Sequence, residues 1–377
     1  MKTTLTLLVC LLLAACSSNK TETETKSQLD TSPKQWLTFE GKPDRPTIVL
    51  VSGDEEYRSE EGLPQLAKIL SSKHGFNCIV LFSQDPAKPG IVNPNYTKNI
   101  PGLGKLKDAD LMVILTRFRA LPDEQMQNID DYLKSGKPVV GIRTSTHAFN
   151  FTKNDSTSKW KHYGNYYKGE DEWKDGVGRL VLGENWISHH GNHKHQSTRG
   201  VAAPGEEKHP ILNGIGAGEI WGPTDVYGVR LPLPGDSRPI VLGQVINRAG
   251  EYQPGDVMYG MKFTDSEVAG VEVEKDKSGK EKKINRNDPL MPIAWTKSFQ
   301  LPGGKKGKAF TSTIGSSTDL LTEGTRRLIV NSVFWCLDLP VPEKAEVDLV
   351  GNYNPTAYAF RDDKYWVEKN MVISELQ

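Results

Sequence analysis

Along the chain, short runs of consecutive apolar residues alternate with stretches in which apolar residues recur every three or four positions, and that alternation predicts the fold. Residues 45–52 (RPTIVLVS), 77–82 (NCIVLF), 110–115 (DLMVIL) and 139–142 (VVGI) read as four strands. Unbroken apolar runs belong to strands covered on both faces, the pattern of a parallel sheet. Between them, Leu63, Leu66, Ala67 and Leu70 share a helical face, with Pro64 suited to a first turn and Gly75 to the helix end. Met126, Ile129 and Leu133 mark a second helix, closed by Gly136. Such alternation predicts βαβ units, hence an α/β fold with a parallel sheet and helices on both faces. The second half reads as a β-rich insertion with short strands at 178–182, 225–231, 239–246 and 257–263. Late strands at 292–296 and 308–314 return to the sheet, and a helix over 319–338 closes it. Residues 272–287 are almost all charged and predict a solvated loop. The resulting layout is a signal over 1–16, a flexible tether over 17–44, one domain over 45–342 and a tail over 343–377 that wraps the surface.

Charge narrows the partners. Among 377 residues, 47 basic side chains balance 47 acidic ones, and no basic stripe interleaved with aromatics exists, which argues against nucleic acid. A neutral small molecule such as a sugar stays open. At the N-terminus, Lys2 precedes an apolar run over 5–13, and Leu13, Ala14, Ala15 and Cys16 resemble a bacterial lipobox. That resemblance implies cleavage before Cys16 and a lipid on its thiol, an anchor rather than a spanning helix. By analogy with lipoprotein sorting, Ser17 favours the outer membrane, facing the periplasm. The alternative is an ordinary secretory signal. Cys78 and Cys336 stand in apolar runs, as two buried thiols or one disulfide.

In a parallel sheet the loops after the strands share one rim, where ligands of open α/β sheets bind. Strand one is followed by Asp54, Glu55, Tyr57 and Arg58, strand three by Arg117 and Arg119, and strand four by Arg143, Thr144, Ser145 and His147. Half of the eight histidines crowd one loop: His189, His190, His193 and His195. Such a cluster suits zinc binding or proton transfer, with His147 as its distant partner. Aromatics between 160 and 173 either stack on a sugar or cover the sheet end. His209 reads as a turn cap, and Asp225 as a group that orients a ring or binds a hydroxyl.

The order of these parts carries a resemblance. A G-[IL]-x-x-x-x-H-like turn at Gly141 to His147, the histidine loop, the HPI turn at His209, the late PIAWTKSF and GKAFTSTIGSS stretches, and a helix ending VFWCLDLPVP together resemble the ThuA-like (trehalose-utilisation) family over roughly 45–342. The resemblance implies a class I glutamine amidotransferase-like fold, a flavodoxin-like sheet with a nucleophile elbow after one strand. Here Thr144, Ser145 and Thr146 stand where those amidotransferases carry cysteine, so glutaminase chemistry is not supported, and GIRTSTH lacks the G-x-S-x-G pattern that exposes a serine. The resemblance also implies a carbohydrate or keto-sugar substrate, in sugar catabolism. The expectation is therefore a lipid-anchored protein that acts on or binds a carbohydrate, with His147 and either His190 or His193 moving protons. Asp54, Tyr57, Arg58, Arg117, Arg143, Thr144 and Asp225 would surround the substrate. No G-x-G-x-x-G follows a strand, so no nicotinamide is called for. Two other readings stand beside it: a non-catalytic carbohydrate-binding or scaffolding lipoprotein, and a metal-dependent hydrolase.

Overall fold

The computed structural model describes Met1 and residues 32–151, 157–275 and 278–377, so the lipobox-like segment with Cys16 and most of the expected tether lie outside the described residues. Lys34–Gln377 forms one compact unit. In chain order its elements are β1 (Trp36–Phe39), β2 (Thr47–Gly53), α1 (Ser59–His74), β3 (Asn77–Phe82), β4 (Leu111–Thr116), α2 (Asp123–Lys134), β5 (Val139–Ile142), α3 (Gly176–Leu180), β6 (Gln196–Ala202) and β7 (Trp221–Gly222). There follow β8 (Arg238–Asn247), β9 (Val271–Lys275), β10 (Glu281–Asn285), β11 (Met291–Phe299), β12 (Gly307–Ser312), α4 (Glu323–Cys336) and α5 (Asp363–Lys369).

Five strands, in the order β3-β2-β4-β5-β12, run parallel at the centre of a ten-stranded sheet. Numbered among themselves along the chain, they stand in the order 2-1-3-4-5, the flavodoxin-like arrangement. Their two faces are both covered. Ile48 and Leu50 of β2 pack toward α1 and α4, whereas Val49 and Val51 pack toward α2 and α3, so period-two alternation divides an all-apolar run between two cores. β1 pairs antiparallel at one edge, within the stretch expected as tether, and β11, β8, β6 and β7 extend the other side antiparallel. The β-rich section thus continues the main sheet.

Several local expectations are corrected. Residues 176–180 form α3 rather than a strand, because a Cβ at Gly178 would lie 1.9 Å from the Thr146 carbonyl oxygen: the turn packs directly on backbone. The stretch 225–231 is irregular apart from a single antiparallel bridge from Tyr227 to His189, and 257–263 is mostly turn. Charged residues 272–287 contain the hairpin β9–β10, pinned by Arg286 to Glu272 and Glu274. Helix α1 begins at Ser59, which puts Pro64 in its second turn. The tail forms α5 and buries Tyr358 and Trp366. Cys78 and Cys336 are free, buried thiols, and burial pushes Cys336 up to about 12.

Candidate functional site

Three loops reach one rim from the carboxyl ends of parallel strands, and each carries a side-chain-bearing residue in the left-handed backbone region: Arg58 (φ 58°) after β2, Phe118 (φ 49°) after β4 and Arg143 (φ 48°) after β5. Such conformations cost about 1–3 kcal/mol each and cluster at functional sites.

Asp54 builds the first loop. Its Oδ1 accepts the backbone N–H groups of Glu56 at 2.6 Å and Tyr57 at 2.5 Å, while its Oδ2 accepts the Thr144 hydroxyl and so ties this loop to the one after β5. Glu55 makes the matching tie to the loop after β4 through Arg117 and Arg119. Asp54 and Thr144 are fully buried, so these two expected substrate contacts are brackets that hold the rim. Arg58 is likewise enclosed: it faces Glu60, donates to Ala359 O at 2.9 Å, and lies 4.9 Å from the Trp366 ring, on the C-terminal tail rather than in the hollow.

Arg143 is the hub beneath the site. Its guanidinium lies between Tyr57 and Tyr227, 4.4 and 3.8 Å from the ring centroids. Nη1 donates to the backbone oxygens of Asp225 (2.7 Å) and Thr313 (2.6 Å), and Nη2 to Asp225 Oδ1 and the Tyr57 hydroxyl (both 3.1 Å). With no exposed surface and these internal partners, Arg143 holds Asp225 rather than a substrate oxygen. The strained turn is Arg143 itself, one residue before the expected elbow. Ser145 Oγ faces the apolar interior beside Met112, Ile114 and Val177 without a hydrogen-bond partner among the described residues, so it is no nucleophile at the rim.

Asp225 joins the hub to the histidine loop. Its Oδ2 lies 2.7 Å from His189 Nδ1 and its Oδ1 2.9 Å from His193 Nδ1, while His193 Nε2 lies 3.3 Å from Glu56 Oε1. A carboxylate only accepts, so both Nδ1 atoms carry the proton. Asp319 fixes the approach: it accepts Thr224 Oγ1 at 2.7 Å and the N–H groups of Gly315 and Ser316 at 2.8 and 2.9 Å. Burial pushes the Asp225 carboxyl up, but Arg143 and the bonds from His189 and His193 outweigh it and hold the group well below the usual carboxylate range. For His193, burial pulls down, yet the bonds to Asp225 and Glu56 leave it raised. His189 therefore turns a bare Nε2, with no hydrogen-bond partner among the described residues, outward from a ring that is 36% exposed.

Across Trp186 and Tyr227 stands His147, buried, its Nδ1 3.1 Å from Thr146 Oγ1 and its ring 5.6 Å from Trp186 and 6.2 Å from Tyr227. Burial, with Arg117, Arg143 and His189 nearby, holds its pKa well below the usual imidazole value, so the ring is neutral at pH 7. A row of flat groups stands on the same rim. Tyr166 stacks on Phe118 at 5.7 Å, and the Arg117 guanidinium lies between Phe118 (4.6 Å) and Phe360 (4.7 Å). Tyr166 and Phe360 keep more than half their surface exposed, whereas Trp160, Tyr163 and Trp173 are packed inside.

The histidine cluster divides. His190 Nε2 bonds Arg286 O at 2.8 Å, and Arg286 bonds back to His190 O, so this expected catalytic residue anchors the β9–β10 hairpin instead. His195 stacks on Tyr252 at 4.8 Å, away from Asp225. Of the expected metal ligands, His189 and His193 remain and Asp225 joins them, with one ligand atom from each within 4.8 Å of the others. His209 caps its turn, accepting Ile211 N at 3.2 Å. Five site members were not singled out from sequence: Glu56, Phe118, Trp186, Tyr358 and Phe360. Tyr358 stacks 5.4 Å from both Tyr57 and His193, backing the site from a tail without apolar period, and only its aromatic ring in a polar stretch signals it.

Comparison with known proteins adds little to this geometry. No family model and no curated protein matches the chain. A crystal structure from Parabacteroides merdae is similar at 14% identity and a TM-score of 0.44, over 84% of this chain and 98% of that one. Another from Bacteroides uniformis is similar at 13% identity and a TM-score of 0.38, over 78% and 93%. Both are described as ThuA-like, the family that the sequence resembles.

Proposed function

We propose that this protein moves protons on a carbohydrate, an oxidised sugar in particular, in the hollow between the Asp225–His189 pair and the aromatic rim. The observation that carries the reading is the pairing itself: Asp225 Oδ2 fixes His189 Nδ1 at 2.7 Å and leaves Nε2 as a base on the open side. His147, neutral and walled by the same Trp186 and Tyr227, is the second proton-handling group. His193, raised and bound at both nitrogens, is a fixed positive charge that steadies Asp225 and Glu56. A proton taken beside a carbonyl and returned to the neighbouring position balances without an oxidant. The exposed faces of Tyr166 and Phe360 suit the C–H face of a sugar ring, and Arg117 between the phenyl rings suits its oxygens. Turnover of oxidised and plain disaccharides is the test: His189→Ala abolishes it while ligand binding persists, and wild-type turnover in that variant sinks the proposal. A binding or scaffolding module would instead have no turnover to lose.

A second reading keeps a metal. Two imidazoles and a carboxylate within 4.8 Å form a three-ligand set of the kind that leaves a catalytic zinc an open position. Against it stands the Arg143 guanidinium, 3.1 Å from the same carboxylate. Elemental analysis separates the two: one zinc per chain, lost in His193→Ala, favours the hydrolase. For the N-terminus we propose a lipid on Cys16 and attachment to the outer membrane facing the periplasm, supported by the sequence around that residue. Cys16→Ala then moves the protein from the membrane to the soluble fraction.

A further inference from the structure

A cavity lies at the β7 edge of the sheet, between the turn over 253–263 and the start of α4, with a volume of about 650 Å³. That size falls within the roughly 300–1,000 Å³ of small-molecule sites. No histidine of the candidate site lines it. Its floor is soft and apolar: Trp221, Met258, Met261 and Phe263, the last 48% exposed. Trp221 and Met261 belong to one buried cluster with Tyr57 and Tyr358, and Tyr358 touches His193, so a layer of rings separates this cavity from the histidine site.

Among the lining residues Glu219, Asp256 and Glu323 are acidic and Lys262 is basic, and the Arg199 guanidinium stands beside Phe263, 5.7 Å from its ring. Glu323 is paired with Arg327, whose guanidinium is otherwise spent on Ala345 O and Gly214 O outside the lining. Among the described residues the other two acids each keep an oxygen without a partner: Glu219 accepts Gly216 N through Oε2, and Asp256 accepts Met258 N and Gly260 N through Oδ2.

We propose that this cavity binds an amphipathic organic cation, its apolar body on the thioethers and rings and its ammonium against Glu219 and Asp256. Aromatic faces and carboxylates both attract a cation, and methionine side chains adapt to the shape of what they cover. The carboxylate oxygens of Glu219 and Asp256 that have no partner among the described residues offer counter-charge to a cation, which a neutral or anionic ligand would leave unused.

The probe is benzyltrimethylammonium, titrated into the protein by calorimetry and by the fluorescence of its tryptophans, with benzyl alcohol and benzenesulfonate as neutral and anionic counterparts. The cation binds saturably, weakens with salt, and binds about tenfold more weakly to Glu219→Gln and to Phe263→Ala, a loss of about 1.4 kcal/mol each. Both changes are at exposed positions, and a thermal melt of each variant excludes unfolding. His189→Ala binds the probe as the wild type does, so this result is independent of the carbohydrate proposal. Absence of saturable binding, equal or tighter binding of either counterpart, or undiminished binding in both folded variants overturns the assignment.

Discussion

Asp225→Asn removes one charge from a buried hub and leaves its volume intact. Arg143 and Asp225 have no exposed side-chain surface, so the variant strands a guanidinium with only carbonyl oxygens and the Tyr57 hydroxyl as partners. Breaking such a buried pair from one side costs about 3–5 kcal/mol. A second effect follows from donor counting. The amide presents one acceptor where the carboxylate served His189 Nδ1, His193 Nδ1 and Arg143 Nη2, and its NH₂ faces a ring N–H. One imidazole must then change tautomer or turn away. His193 loses one of the two bonds that raise it, so burial is opposed by Glu56 alone and the pKa falls. The sign of the pH effect is fixed by linkage. A raised folded-state pKa gives stability that is complete below the ordinary value of 6.5 and lost as pH rises through the folded value; in Asp225→Asn that dependence shrinks to what the Glu56 bond sustains. Urea unfolding at several pH values and NMR titration of the His193 ring measure both. A variant within about 0.5 kcal/mol of wild type, the ordinary scatter of surface substitutions, with His193 titrating as before, refutes the reasoning.

Further outcomes are expected elsewhere. His190→Ala spares turnover while His189→Ala abolishes it, and equal losses in steady-state assays of the two would contradict the division of the cluster. His147, held down by burial and neighbouring positive groups, shows no titration between about pH 5 and 8 in NMR spectra, whereas a midpoint near 6.5 would place it in water. Glu60, whose carboxylate burial lifts to about 7 from 4.5, makes the fold lose stability as pH rises through that window, by up to about 3 kcal/mol at 1.4 kcal/mol per unit. Glu60→Gln removes that loss, and identical pH–stability curves for the two proteins would show that the carboxyl is not buried as described. Phe360→Ala, at an exposed ring, leaves the unfolding midpoint unchanged and weakens carbohydrate binding; unchanged binding removes the rim from the site.

The parallel core was legible because its signal is local. Strands covered on both faces read as unbroken apolar runs, and the strand over 139–142 and that over 77–82 are found where the pattern puts them. The antiparallel extension was read with errors at 225–231, where only Tyr227 pairs, in a single bridge, and at 257–263, where aromatic and thioether residues serve a turn that buries them. The charged run over 272–287 hid a hairpin because its order comes from Arg286, not from its own apolar content. At the site, residue types were legible but directions were not. His189 and His190 are neighbours with the same chemistry, and the backbone bridge between His189 and Tyr227 decides which of them meets Asp225. Arg143 looked like a substrate clamp because a charged residue after a strand usually reaches solvent; two tyrosines and Asp225 make its burial tolerable.

The proton on His189 tests the account most directly. Long-range proton–nitrogen correlation NMR on the labelled protein at neutral pH assigns the tautomer of each histidine. The account gives His189 protonated at Nδ1 with a bare Nε2, in a signal that changes in Asp225→Asn. Protonation at Nε2, or a tautomer indifferent to residue 225, would contradict it.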